Sequence, residues 1–157
     1  LFWDPASGSL RLSDGSTPGG ISITGLSNGF QARNETATVT ASSVAVDDVE
    51  NIDLTAHKGY VLYGITADKA CRVRLYNSNA SRTADAGRLP QEAPSANTGL
   101  IAEAVFVSGG TINFTPGVFG YNNESTPTTT VPVAVTNNGS STQNIAISLT
   151  VLKIEQG

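Results

Sequence analysis

Between residues 143 and 154 the apolar side chains fall on alternate positions: Ile145, Ile147, Leu149 and Val151 are separated by Ala146, Ser148 and Thr150, with Leu152 following. A period of two sends one set to a buried face and the other outward, as a half-buried strand requires. Val133 and Val135, with Ala134 between them, repeat the pattern. By the same criterion the chain from Ala37 onward breaks into eight short β candidates, at 38–46, 51–56, 60–67, 71–77, 100–107, 111–115, 129–136 and 143–154. Their separators are mostly Gly, Asn, Asp and Ser, the residues of turns. Asn137-Asn138-Gly139-Ser140-Ser141 contains the Asn-Gly hairpin signal, which predicts the last two strands as antiparallel neighbours. Short strands with no long amphipathic helix between them predict an all-β fold, an antiparallel β-sandwich or jelly-roll-like domain. The pattern does not choose between those topologies.

Two segments depart from this alternation. The first 24 residues are a turn-rich piece in which Asp14-Gly15 and Pro18-Gly19-Gly20 break strand-like runs, predicting two or three short strands. So short a piece owns no core, and each large apolar side chain left wet forfeits about 1.5–3 kcal/mol. Phe2, Trp3, Leu10, Leu12 and Ile21 are therefore expected at an oligomer interface. Residues 25–36 read as a connection, so 1–36 are expected to form a β-turn-rich oligomerisation or attachment element with its linker, and 37–157 the sandwich. The second departure is 80–96, which lacks alternation and is rich in charge, and Pro90 and Pro94 limit any helix there to one turn around 82–87. It is expected to be a long ordered loop with a packing or binding reason for its order.

Charged residues make up only 14% of the 157, Met is absent, and the net charge is -4 with a pI near 4.8. An acidic chain repels phosphate backbones and anionic bilayers, so neither nucleic acid nor membrane insertion is expected. The single Cys71 cannot form an internal disulfide, and its strand-like setting predicts a buried small apolar residue. The chain opens at Leu1 rather than Met, as a fragment or processed product would.

Candidate chemistry is sparse. Asp47, Asp48, Glu50 and Asp53 form the densest acidic group, but their spacing matches no EF-hand loop. A catalytic carboxyl pair needs a cleft with a separation of roughly 5–10 Å, and a solvated loop is the expected reading here. His57 is the only histidine, is expected to be exposed beside Lys58-Gly59, and cannot build a multi-histidine zinc site. No Gly-x-Ser-x-Gly elbow and no phosphate-cradling loop is present, so no catalytic residue, metal or cofactor is assigned. The one constellation with directed chemistry is Arg72-x-Arg74-Leu75-Tyr76 followed by Arg82, Asp85, Arg88 and Glu103. Guanidinium pairs bidentately with carboxylate, so these six charged residues are expected to form a structural salt-bridge network that fixes the loop on the strand. An anionic glycan or lipopolysaccharide contact and an intersubunit contact are the alternatives. Asn34, Asn79, Asn123 and Asn138 open Asn-x-Ser/Thr triplets, which in so Asn- and Thr-rich a chain arise by chance.

Two segments resemble virion structural proteins of tailed bacteriophages, cyanophages in particular. Trp3-Asp4 with Leu10-Arg11-Leu12-Ser13-Asp14-Gly15-Ser16-Thr17-Pro18-Gly19-Gly20 is similar to a short element of tail fibres and related appendages. Lys58-Gly59-Tyr60, Arg72 to Tyr76, Arg82-Thr83-Ala84-Asp85, Gly99 to Glu103, Pro116-Gly117-Val118 and Val135-Thr136-Asn137 resemble a β-rich module of phage structural proteins. The resemblance implies a non-enzymatic tail-fibre or baseplate component on the virion, commonly a homotrimer, working with other virion proteins. A capsid decoration protein is the second reading, since both classes use small β-sandwiches and only the N-terminal element favours the appendage, and a polysaccharide-cleaving tailspike domain is a distant third.

Overall fold

The computed structural model describes residues 2–4, 9–12, 21–22 and 35–155, and its first unit is Leu1–Arg33. Three short strands, β1 (Phe2–Asp4), β2 (Ser9–Leu12) and β3 (Ile21–Ser22), form an antiparallel sheet in that order. Trp3 stands in register with Leu10, and Leu12 with Ile21. What the side chains of Phe2, Trp3, Leu10, Leu12 and Ile21 touch lies outside the described residues.

The second unit, Asn34–Gly157, contains eight strands and one short helix. They are β4 (Glu35–Val44), β5 (Val49–Thr55), β6 (Gly59–Ala67), β7 (Cys71–Tyr76), α1 (Asn79–Ala84), β8 (Leu100–Phe106), β9 (Gly110–Tyr121), β10 (Thr130–Asn137) and β11 (Gln143–Glu155). One sheet runs β5-β10-β7-β8 and the other β4-β11-β6-β9. All neighbours are antiparallel, and the first strand of the unit pairs with the last, the second with the second-last, and so inward to β7 with β8. This is one long hairpin rolled into two facing sheets, the wiring of an eight-stranded jelly roll. The all-β sandwich expected from alternation is therefore present, and it has the jelly-roll form.

The sheets bury Ile145, Ile147, Leu149 and Val151 of β11 against Leu54, Leu62, Ile65, Val73, Leu75, Val133 and Val135, all at most 1% exposed. Period two holds in β11, where Ala146, Ser148 and Thr150 are half-buried on the other face. β10 differs, because Ala134 is buried as well. The middle of its sheet is covered on both faces, by the core inside and by the 77–99 connection outside, while residues of the edge strands such as Val49 and Val105 stay exposed.

Three local expectations are corrected. The strands either side of Asn137-Asn138-Gly139 are not a hairpin: β10 and β11 lie in opposite sheets, and the connection turns a corner between them. The buried Asn137 amide holds that corner by donating to the carbonyls of Val44 and Ser141, both at 2.9 Å, and accepting from Gly139 N and Gln143 Nε2, both at 2.8 Å. β9 runs on to Tyr121 instead of stopping at 115, because it is an edge strand and Pro116 need not donate to the ladder. The helical turn expected at 82–87 lies earlier, at Asn79–Ala84, where Ser78 Oγ caps Ser81 N at 3.1 Å.

Candidate functional site

β7 is a central strand, so its core-facing Cys71, Val73 and Leu75 alternate with Arg72, Arg74 and Tyr76 on the outer face of the sheet. Polar residues on an outer face are ordinarily wet. Here Arg72 and Arg74 are 2% and 1% exposed and Tyr76 is wholly buried, because the chain from β7 to β8 folds back over them. That connection is pinned where it leaves and rejoins the sheet. Asn77 N donates to Gly99 O at 2.9 Å, and Ser81 Oγ donates to Asn77 Oδ1 at 2.9 Å. Gly99 sits at φ +64°, and a Cβ there would lie 2.2 Å from Asn77 Oδ1, so only glycine fits this closure.

Asp85, just after α1, is the hub. Its carboxylate accepts from Arg88 Nε at 2.8 and 3.0 Å, from Tyr76 OH at 2.6 Å and, at 3.4 Å, from Arg74, whose guanidinium also reaches the Asp85 carbonyl at 3.0 Å. Glu103 on β8 closes the other side, taking Arg72 Nε and Arg88 NH2 at 2.6 Å each. Arg72 and Arg88 also donate to the carbonyls of Arg88 and Glu92 respectively. Arg72, Arg74, Arg88, Asp85 and Glu103 thus form one cluster. Arg82 stands apart from it, tying α1 to the Ile52 and Val133 carbonyls at 2.7 and 3.2 Å and to Asp53 at 2.9 Å.

Electrostatics follow from this geometry. Burial by itself would raise the Asp85 pKa, but hydrogen bonds from Arg88 and Tyr76 and the nearby Arg88 and Arg74 charges outweigh it and hold the carboxyl below its usual range. Glu103 is held low in the same way by Arg72 and Arg88. Desolvation, then the bond to Asp85, pushes the Tyr76 phenol up. Both carboxylates are committed to guanidinium, and three guanidinium groups face two carboxylates. Among the described residues, Arg72 NH2 and Arg74 Nε are buried with no partner. Beside them lies a recess of about 330 Å³ lined by Asp47, Val49, Arg72, Arg74, Ala86, Gly87, Arg88, Leu89, Pro90, Thr136 and Asn138.

No protein-family model matches the chain, and no curated protein matches it. Its chemistry is therefore argued from this geometry.

The other sequence-predicted positions scatter. Asp47 and Asp48 occupy the turn between β4 and β5, and Glu50 and Asp53 are exposed on β5. Among the described residues no group of three His, Cys, Asp or Glu side chains is placed to hold a metal. His57 is not exposed as expected: its ring is 13% exposed and bonded to Glu35 at 2.7 Å, because β4 begins at Glu35, beside it. Cys71 is buried, and desolvation, then the Asp68 charge, pushes its thiol up to about 12. Asn79, Asn123 and Asn138 are exposed, and Asn34 is outside the described residues. Sequence reasoning missed Asp53 as the partner of Arg82 and Asn137 as the corner lock. The bond from Arg82 to Asp53 and the one from Asn137 to Val44 join residues far apart in the chain, so no local signal marks them, although Asn137 also bonds its neighbours Gly139, Ser141 and Gln143.

Proposed function

We propose that this chain is a non-enzymatic structural protein of a tailed-bacteriophage virion, a tail-fibre or baseplate appendage module that serves assembly and host attachment. The observation that carries the reading is a jelly roll whose buried ionic chemistry is spent on holding its own longest connection in place. Asp85 and Glu103 are locked as carboxylates by arginine, which suits a structural clamp and removes them as proton donors near neutral pH. The resemblance of residues 3–20 to an appendage element, and of 58–137 to a β-rich module of phage structural proteins, supplies the virion setting.

The outer face of the β4-β11-β6-β9 sheet supports self-association. Register places Thr36, Thr38, Thr150, Leu152, Val61 and Phe119 on that face, and none is charged. Phe119 is 60% exposed, and its ring lies 6.4 Å, centroid to centroid, from that of the exposed Tyr121, tilted by 42°. Away from the exposed Glu155, which pairs with Gly59 at one end, this face can be covered by another copy without stripping water from an ion, and a homotrimer is the assembly proposed.

Gold-labelled antibody against the chain, imaged on purified virions, tests the reading. Label at the tail or baseplate is expected. Label on the capsid surface would replace the appendage by a decoration role, and absence from virions would overturn both. Light scattering at micromolar concentration should give a trimeric mass, and a monomer would reject the assembly.

A further inference from the structure

The buried cluster is one negative charge short. Arg72, Arg74 and Arg88 carry three positive charges against two on Asp85 and Glu103, while Arg82 is satisfied elsewhere by Asp53. A surplus charge inside a protein favours a counterion, and the only further carboxylate on the recess, Asp47, is exposed on its rim, where solvent weakens its pull. The two N–H groups without partners, Arg72 NH2 and Arg74 Nε, belong to arginines that line the 330 Å³ recess.

We propose that this recess is a binding site for a singly charged oxyanion carried on a small organic group, of which the carboxylate of a uronic-acid sugar is the chemical type. Its volume falls in the range of small-ligand sites. Its lining suits a sugar ring, with Val49, Leu89 and Pro90 offering apolar surface and Thr136 and Asn138 offering hydroxyl and amide groups. The unpartnered nitrogens are closed to water, so the charge of the two arginines is poorly screened and adds to the positive potential of the recess they line. Asp47 is exposed on the same lining and repels a second negative charge, which selects a monoanion over a dianion. Acidic glycan is the host-surface chemistry an attachment module would meet, yet the site rests on the recess alone and is tested apart from any virion.

The test is thermal unfolding of the intact chain, with calorimetric titration, in sodium glucuronate, glucose, inorganic phosphate and sodium chloride at matched ionic strength. Glucuronate at about ten times its Kd should raise Tm by about 4–7 °C, while glucose and chloride should not. Asp47→Asn, on the rim and outside the ion cluster, should tighten glucuronate binding about threefold or more. Thr136→Glu, which brings a tethered carboxylate to the recess, should raise Tm without ligand and abolish binding. A glucuronate shift no larger than that of chloride overturns the proposal, as does binding indifferent to both substitutions. Tighter binding of phosphate than of glucuronate would reject the single-charge assignment.

Discussion

Replacing Asp85 with alanine removes the acceptor on which Arg88 Nε, Tyr76 OH and an Arg74 N–H converge. The cluster then holds three guanidinium groups against Glu103 alone, and the surplus doubles from one charge to two. Breaking a buried ion pair from one side costs about 3–5 kcal/mol, far above the ordinary effect of a surface change. At roughly 3–5 °C per kcal/mol for a unit of this size, Tm should fall by about 10–20 °C. Urea unfolding followed by tryptophan-independent far-UV dichroism and by size exclusion would measure the loss on the jelly roll itself. Asp85→Asn keeps an acceptor for Tyr76 while losing the charge, and should recover up to about half of the deficit. Tyr76→Phe alone should cost about 1–2 kcal/mol, and little more when added to Asp85→Ala, because both act through one hydrogen bond. A loss below about 0.5 kcal/mol for Asp85→Ala would refute the clamp and leave the arginines as a contact surface.

The depressed folded-state pKa values of Asp85 and Glu103 give a stability contribution that is complete above their unfolded values near 3.8 and 4.5 and is lost as pH falls through the lower folded values. Stability should therefore decline on acidification below about pH 4.5, and a flat urea midpoint from pH 6 to 3 would contradict this. Asn137→Ala should destabilise by roughly 2–4 kcal/mol, read as a lower urea midpoint, because it strips the corner of four hydrogen bonds and orphans the Val44 carbonyl. Cys71 should resist a thiol reagent in the native state at neutral pH and react only after denaturation, since its thiol is buried with a pKa of about 12. The circular dichroism should be of β type, α1 having only six residues, and a helix content above about a third would be incompatible with the fold.

β11 was legible because it buries one face, so alternation is written directly into residues 145–151, whereas in β10 it shows only as Val133 and Val135 around the small Ala134, which is itself buried. The partners of both strands were not. The Asn-Gly corner after β10 carries the same residues whether the chain doubles back in one sheet or crosses to the other, and only the long-range donors Asn137 Nδ2 to Val44 O decide it. β9 was cut short because Pro116-Gly117 reads as a breaker, and nothing local says that a strand is at an edge. Arg72 and Arg74 were visible as a charged pair two residues apart on one face, with Asp85 and Glu103 as their natural carboxylates. Their burial was not visible, because it depends on how the 77–99 connection lies across the sheet. His57 was misjudged for a related reason: its cover comes from Glu35, 22 positions earlier in the chain.

The nested pairing of the jelly roll also sets an order for its assembly. Tyr76 and Leu100 close the shortest loop among the four nested pairs, whereas Glu35 and Val151 join residues 116 positions apart (151 less 35). Loop-closure entropy grows with the logarithm of that separation, so the inner pair can form before anything else and each later pair closes a loop already shortened by the one inside it. Folding should then zip outward from β7·β8, with high φ-values there and low ones in β4 and β11. On that route the arginine cluster, which ties the innermost connection to the innermost strands, is in place when the rest of the barrel is still unmade. A clamp that looks like reinforcement of the finished fold would then act first as its nucleus, and its loss would slow refolding more than it speeds unfolding.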